Sequence, residues 1–310
     1  MKAIAYFSNG LGNFVLMMPA LQALRDMSGE KVDVCLPDGW RDSRRPAVAE
    51  ICDRWDVVDR VIGWPREQFD PRKYSHWFYS NHSSGSDVVQ IFLQNRKHRP
   101  VPRPSWRDSL IHELDHYMEI VAAMGWTGSI PKITFPVSDE PDLSKEKKPV
   151  IGLCNGAFNV PYWRKKHWPF FEESSKVLKR YFGATIVGVG SKGELDGVPM
   201  DQDFCGKLSI TGSARVISQC DLLVSTDTGC MHIADAMGIP TIALFGSTLI
   251  SKNGPRDPRS IALMAGIDCA PCQDQAKFYR CERAACMESI SIGDVASAAK
   301  EVMRNGTRHS

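Results

Sequence analysis

LLVSTDTGCMHIADAMGIPTIALFG, residues Leu222 to Gly246, reads in one run as strand, polar turn, short helix and second strand. Leu222–Val224 is apolar enough for a buried parallel strand, and Ser225, Thr226, Asp227 and Thr228 end it with side chains that favour turns and helix N-caps. A helix is expected from Gly229, with Met231, Ile233, Ala234 and Met237 at helical spacing; Gly238 stops it before Pro240, and Thr241–Phe245 resumes as a strand. The unit is βαβ. Free backbone N–H groups and the helix dipole meet at such a helix N-terminus, so Thr228 and Gly229 are placed to receive a phosphate. A side chain at position 229 would obstruct that approach. Two readings of the neighbours stand side by side: Asp227 as a helix cap and His232 as a core histidine, or both as parts of a ligand site.

The same alternation extends through the chain. Ala3–Phe7 reads as a strand, Ser8–Asn13 as a glycine-containing loop and Phe14–Met27 as a helix. Val32–Leu36, Val57–Ile62, His76–Tyr79 and Val88–Leu93 are strand candidates, and Trp106–Met124 has the spacing of an amphipathic helix. A stretch mixing proline, serine and charge follows between Thr127 and Val150, SDEPDLSKEKK being its most linker-like part. The division is set at 1–135 and 136–310. In the second half Val150–Cys154 and Ala184–Val189 read as strands, and Pro169–Tyr181, Ser213–Gln219 and Gly293–Met303 as helices. Two alternating halves imply an α/β fold of two doubly wound, Rossmann-like domains with ligands at the carboxyl ends of strands in a cleft.

The 310 residues, 43% of them hydrophobic, suffice for two such cores. A formal charge of +2 gives no support to broad nucleic-acid binding. No segment has the length of a membrane span, and MKAIAYFSNG runs directly into a strand rather than a signal peptide, so a cytoplasmic protein is expected. In that compartment the ten cysteines are expected as thiols or metal ligands rather than disulfides.

The run D-T-G-x-x-H-I-A-x-A-x-G-x-P-T-x-x-L-F-G closely resembles glycosyltransferase family 9, the bacterial ADP-heptose:lipopolysaccharide heptosyltransferases and their relatives. That resemblance implies the GT-B fold. It also implies an inverting transfer from a nucleotide sugar, ADP-heptose by default, held by the second half, to a saccharide or lipid-linked acceptor held by the first. Such a transfer requires charge stabilisation on the departing diphosphate and removal of a proton from the attacking hydroxyl. RKKHWP supplies Lys166, whose ammonium can neutralise phosphate without a metal. No catalytic metal is therefore expected. The family's K-x-W-P element puts Lys166 on the diphosphate. Its counterpart of Glu194, after VGVGSKG, hydrogen-bonds the donor ribose, and its motif places Asp227, Thr228, Gly229 and His232 around the donor. Arg164 and Lys165 read as a solvated basic helix start, and Trp168 as a packing residue.

The first loop, SNGLGNFVLMMPALQAL, resembles the family in glycine spacing and in Pro19-Ala20-Leu21. Catalytic positions implied are Asn13 and Asp227. Where lipopolysaccharide heptosyltransferases have an aspartate, their proposed general base, this chain has Asn13, whose neutral amide is a very weak base. Asp38, His76, His82 and Asp87, near expected strand ends, are the alternative bases of the first half.

Cys269, Cys272, Cys281 and Cys286 form C-x2-C-x8-C-x4-C, a set that would suit a structural zinc or a single iron. Reduced cysteines in a helical hairpin are the alternative. Similar clusters occur in family 9, and iron is bound by cysteines in its branch that glycosylates autotransporter proteins. Cys35, Cys52, Cys154, Cys205, Cys220 and Cys230 are expected as buried thiols. The basic run between Arg96 and Arg107 would suit a phosphorylated saccharide or a peripheral contact with an anionic membrane. His112, Asp115 and His116 form a weaker metal-ligand set. Two further functions stand beside transfer: non-catalytic nucleotide-sugar binding, motivated by Asn13, and a metal-dependent interaction module on an inert body.

Overall fold

The computed structural model describes residues 2–37, 46–79, 87–95, 110–157, 163–273 and 275–306. The chain divides into two compact units, Met1–Pro136 and Val137–Ser310.

In the first unit β1 (Lys2–Tyr6) leads into α1 (Leu11–Ser28), followed by β2 (Val32–Pro37), α2 (Pro46–Arg54), β3 (Val58–Trp64), β4 (Tyr74–Tyr79), α3 (Asp87–Asn95) and α4 (Glu113–Ala123). The strands form one parallel sheet in the order β3-β2-β1-β4. The chain order therefore reverses beside β1, whose carboxyl end feeds α1 and Asn13. α1 ends where Gly29 takes the left-handed conformation, φ +72°, and its N–H closes on the Arg25 carbonyl at 2.9 Å. The core on one side of this sheet is aromatic: Phe92 stands 5.0 Å from Trp77 and 5.8 Å from Tyr6, ring centre to ring centre.

That packing corrects one expectation. Val88–Leu93 is not a strand but lies within α3. A short apolar run carries no period that separates buried strand from helix, and here the helix is what brings Phe92 onto the sheet. His76 is also displaced from its expected place. β4 begins at Tyr74, so His76 pairs in register with Ala3 inside the strand rather than opening it. Asp38, His82, the Asp87 side chain and the basic run Arg96–Arg107 lie outside the described residues.

The second unit runs β5 (Val150–Cys154), a 3-10 turn Arg164–Lys166, α5 (Phe171–Phe182), β6 (Thr185–Gly188), β7 (Gln202–Asp203), α6 (Ile210–Ser218), β8 (Leu222–Thr226), α7 (Gly229–Ala236), β9 (Thr241–Phe245), α8 (Ile250–Asn253), β10 (Ile261–Met264), α9 (Ala276–Arg280), α10 (Ala285–Glu288) and α11 (Ile292–Gly306). Its parallel sheet has the order β10-β9-β8-β5-β6-β7. From β5 the chain winds outward through β6 and β7, returns, and winds the other way from β8. The crevice between the carboxyl ends of β5 and β8 is thus the topological switch point, where open α/β sheets bind ligands. β5, β8 and β9 are buried at every position, as strands covered by helices on both faces must be. α5 shows the complementary pattern, burying Phe171, Ser174, Ser175 and Leu178 at helical spacing and stopping at Gly183, φ +61°.

β8 runs two residues further than the apolar run suggests. Ser225 and Thr226 continue the strand because their hydroxyls find partners, the Thr226 and Gly156 carbonyls, both at 2.8 Å.

Candidate functional site

β5 and β8 pair in register, Cys154 opposite Ser225, so the segments after them emerge side by side. Asn155 and Gly156 follow the first strand, and Asp227, Thr228 and α7 follow the second. Asn155 fixes the loop that returns to the site: its amide donates to the Trp168 carbonyl at 3.1 Å and accepts from the Trp168 N–H at 2.8 Å. Trp168 itself is fully buried, its indole N–H donating to the Ile290 carbonyl at 2.9 Å, which confirms its packing role. Anchored at this tryptophan, the short turn before it carries Lys166 inward.

Lys166 Nζ donates to the Asp227 carboxylate at 2.7 Å and to the Asp227 backbone carbonyl at 3.1 Å. His232 Nε2 lies 3.6 Å from the other carboxylate oxygen. The pair is nearly enclosed, with side-chain exposures of 15% for Lys166 and 6% for Asp227. Burial by itself would raise the acid strength threshold of Asp227, but the Lys166 ammonium overrides it, helped by the His232 ring. The carboxyl is held well below its usual range. Asp227 therefore does not cap α7. The N-cap position belongs to Thr228, whose side chain makes no capping hydrogen bond; its hydroxyl instead lies 3.4 Å from Ser225 Oγ and 3.8 Å from Cys154 Sγ. The first N–H groups of α7 are thus left without a side-chain acceptor from their own cap, beside a buried ammonium.

Glu194 completes the floor. Its carboxylate accepts from the Ser191 N–H at 2.8 Å, and burial nonetheless raises its pKa against the pull of the Ser191 and Ala157 N–H groups. Two glycines make room for it: a Cβ at Gly190, φ +139°, would stand 2.3 Å from Glu194 Oε2, and one at Gly156 would stand 3.1 Å from both that oxygen and the Thr228 methyl. The second unit therefore brings Lys166, Glu194, Asp227, Thr228, Gly229 and His232 into one place. Asn13 lies in the first unit, in the first turn of α1.

Several neighbours carry no signal of this kind in the sequence. Trp163 holds its ring 4.7 Å from Lys166 Nζ. Cys154 and Cys230 share a hydrogen bond at the floor of the site, which together with burial raises the Cys230 thiol well above its ordinary value. Lys165 departs from the expected solvated role: its ammonium donates to the Phe278 carbonyl at 2.8 Å. The Arg164 side chain lies outside the described residues.

The four cysteines do not form the ligand set their spacing suggests. Cys272 and Cys286 are buried, Cys281 is half-buried and Cys269 exposed. Burial raises the Cys272 and Cys286 thiols, with smaller contributions from the other cysteines, so the sulfurs feel one another. Among the described residues, however, no group of three or more His, Cys, Asp or Glu side chains is arranged to hold an ion. The Cys281 thiol donates instead to the Arg283 carbonyl at 3.0 Å, and Cys286 packs under Gly246. His112, Asp115 and His116 likewise belong to no such group among the described residues; His112 serves as the N-cap of α4. Cys35, Cys52, Cys154, Cys205, Cys220 and Cys230 are buried thiols, as expected. No helix among the described residues is long and apolar enough to cross a membrane.

Comparison with known proteins coincides with this geometry. The family model of glycosyltransferase family 9 (heptosyltransferase) matches residues 133–282, which include Lys166, Glu194 and the whole βαβ unit from β8 to β9. Lipooligosaccharide heptosyltransferase 2 of Haemophilus influenzae is 30% identical over 113 residues, 33% of this chain and 32% of that protein. The matches span about a third to a half of the length of the curated relatives. Among solved structures, ADP-heptose LPS heptosyltransferase II of Escherichia coli superposes with a TM-score of 0.70 at 18% identity, over 98% of this chain and 99% of that one. The iron-containing dodecameric glycosyltransferase TibC of enterotoxigenic Escherichia coli gives 0.67 at 14% identity, over 100% and 82%. The sheet order, the switch-point site and the solved structures place the chain in the GT-B fold class, and its residues 133–282 are similar to glycosyltransferase family 9, the heptosyltransferase family.

Proposed function

We propose that the chain is an inverting glycosyltransferase that takes a sugar, heptose by default, from a nucleoside diphosphate sugar and passes it to a saccharide or lipopolysaccharide-like acceptor in the cytoplasm. The observation that carries this reading is the buried Lys166–Asp227 pair at the uncapped start of α7. In the transfer the bond between the anomeric carbon and the diphosphate oxygen breaks, and the diphosphate leaves with the electron pair. Lys166 and the N–H groups of Thr228 and Gly229 would stabilise that charge. Asp227, locked in its ionised form, holds the ammonium in place; Glu194 takes the ribose hydroxyls, and the buried His232 Nδ1, with no protein partner, faces the donor. Names of the relatives supply the sugar: the Escherichia coli neighbour is an ADP-heptose enzyme. A lysine serving the diphosphate leaves no requirement for a divalent ion in this step.

A second reading, donor binding without transfer, is favoured by Asn13, since an amide in the first turn of α1 cannot take the acceptor proton. Calorimetry with a panel of nucleotide sugars and nucleoside diphosphates, followed by turnover with heptose-containing acceptors, separates the two. Lys166→Ala should weaken the bound diphosphate about ten- to hundredfold. Unchanged affinity in that variant would remove the phosphate assignment.

A structural zinc or iron at Cys269, Cys272, Cys281 and Cys286 is supported by the iron-containing neighbour and opposed by the arrangement of the thiols described above. Metal analysis of protein purified without chelators decides it. About one equivalent per chain supports the site, and none removes it.

A further inference from the structure

The cysteine-bearing segment is joined to the Lys166 turn by one aromatic residue. Phe278, in the middle of α9, is 1% exposed, and its ring centre lies 5.1 Å from that of Trp163. Trp163 in turn stands under the Lys166 ammonium at 4.7 Å. Lys165 makes the return contact: its Nζ donates to the Phe278 carbonyl at 2.8 Å and lies 5.7 Å from the Phe278 ring centre. Asp227, Lys166, Trp163, Phe278 and Lys165 therefore form one continuous chain of contacts. The turn that carries the lysines is only three residues long. So short a turn cannot by itself fix the direction of a flexible four-carbon stem, and external contacts must do so.

We propose that α9 buttresses the diphosphate site. Phe278, acting through Trp163, and Lys165, acting through the Phe278 carbonyl, are positioning residues for the Lys166 ammonium. The segment between Cys269 and Cys286 thereby sets how tightly a nucleoside diphosphate is held. The same segment is fastened to the end of β9, where the Ser247 carbonyl accepts from the Cys272 and Gln273 N–H groups, both at 2.9 Å. It is anchored on the site side rather than hanging from the sheet. This inference rests on the assignment of Lys166 to the diphosphate.

The test uses the whole chain and calorimetry with ADP, GDP and UDP, alongside the matching nucleosides. Taking the diphosphate bound best by the wild type, Phe278→Leu and Lys165→Met should each weaken it about tenfold while leaving the nucleoside unchanged. Lys165→Arg should restore affinity. On a Lys166→Met background neither change should have any further effect, which a general loosening of the fold would not reproduce. Wild-type affinity in both Phe278→Leu and Lys165→Met, or an undiminished effect on the Lys166→Met background, overturns the buttress. If Lys166→Met itself binds like the wild type, the phosphate assignment falls and the buttress with it. If Lys166→Met loses affinity and the α9 variants do not, only the buttress falls.

Discussion

A carboxylate just before a helix is ordinarily its cap, and Asp227 departs from that role because a better partner arrives from 61 residues earlier in the chain. A buried ammonium at 2.7 Å outbids an exposed-type cap hydrogen bond, since each charge would otherwise lie in low dielectric without its counterion. Removing the lysine alone should therefore be costly: Lys166→Met is expected to lose about 3 kcal/mol in urea unfolding, more than Asp227→Asn with the lysine kept. The same pair fixes a pH dependence. Asp227 has a depressed folded pKa, so its contribution is fully present above the ordinary aspartate value of about 4 and is lost as the pH falls from there towards the lower folded value. The stability difference between wild type and Asp227→Asn, measured by urea unfolding, should hold steady from neutral pH and shrink below that value. A constant difference down to acid pH would contradict the pairing. The sequence revealed Asp227, Thr228 and Gly229 as a turn at a helix start. It could not reveal which way the carboxylate faced, because that depends on a contact between distant segments.

The elements that were legible are those whose period is long enough to read. β8, α7 and β9 follow from alternation of apolar runs with a polar turn and a glycine stop, and they form as expected. α3 departs from the strand expected there because Val88–Leu93, apolar at five of its six positions, fits either period. β7, α9 and α10 are two to five residues long, too short for any pattern, and are held by what they pack against. α10 shows how close that packing is. A Cβ at Gly246 would meet Met287 Sδ at 2.6 Å and Cys286 Sγ at 2.8 Å. Gly246→Ala should displace the end of β9 from α10 and lower stability by about 1–3 kcal/mol. Thermal unfolding would show it as a fall in Tm, and an unchanged Tm would mean that α10 moves aside freely.

At the scale of the molecule, two units of different character share one chain. The first is knit by aromatic rings, Tyr6, Tyr74, Trp77, Tyr79 and Phe92 among them; the second by an aliphatic core that includes Ile151, Leu153, Ile186, Leu222 and Val224. Each core closes within its own unit, so calorimetric unfolding is expected to resolve separate transitions. The nucleoside diphosphate should raise only that of the second unit, by mass action on its folded form. A ligand-induced rise of both transitions together would contradict this assignment. Alternation of strands and helices in the sequence was enough to expect parallel sheets. Strand order was not legible, because alternation alone does not say where the winding turns back, and it is that reversal beside β5 that puts Lys166 opposite Thr228.

Trp163 gives this arrangement an optical consequence. Its indole lies beside the one ammonium assigned to the diphosphate, whereas Trp168 is sealed in the core. A charge held close over an indole perturbs its excited state, so drawing Lys166 towards an incoming phosphate should shift or brighten the emission of Trp163 alone. Titration of the whole chain with nucleoside diphosphate should give a saturable fluorescence change that Trp163→Phe abolishes. The site would then report its own occupancy without a label.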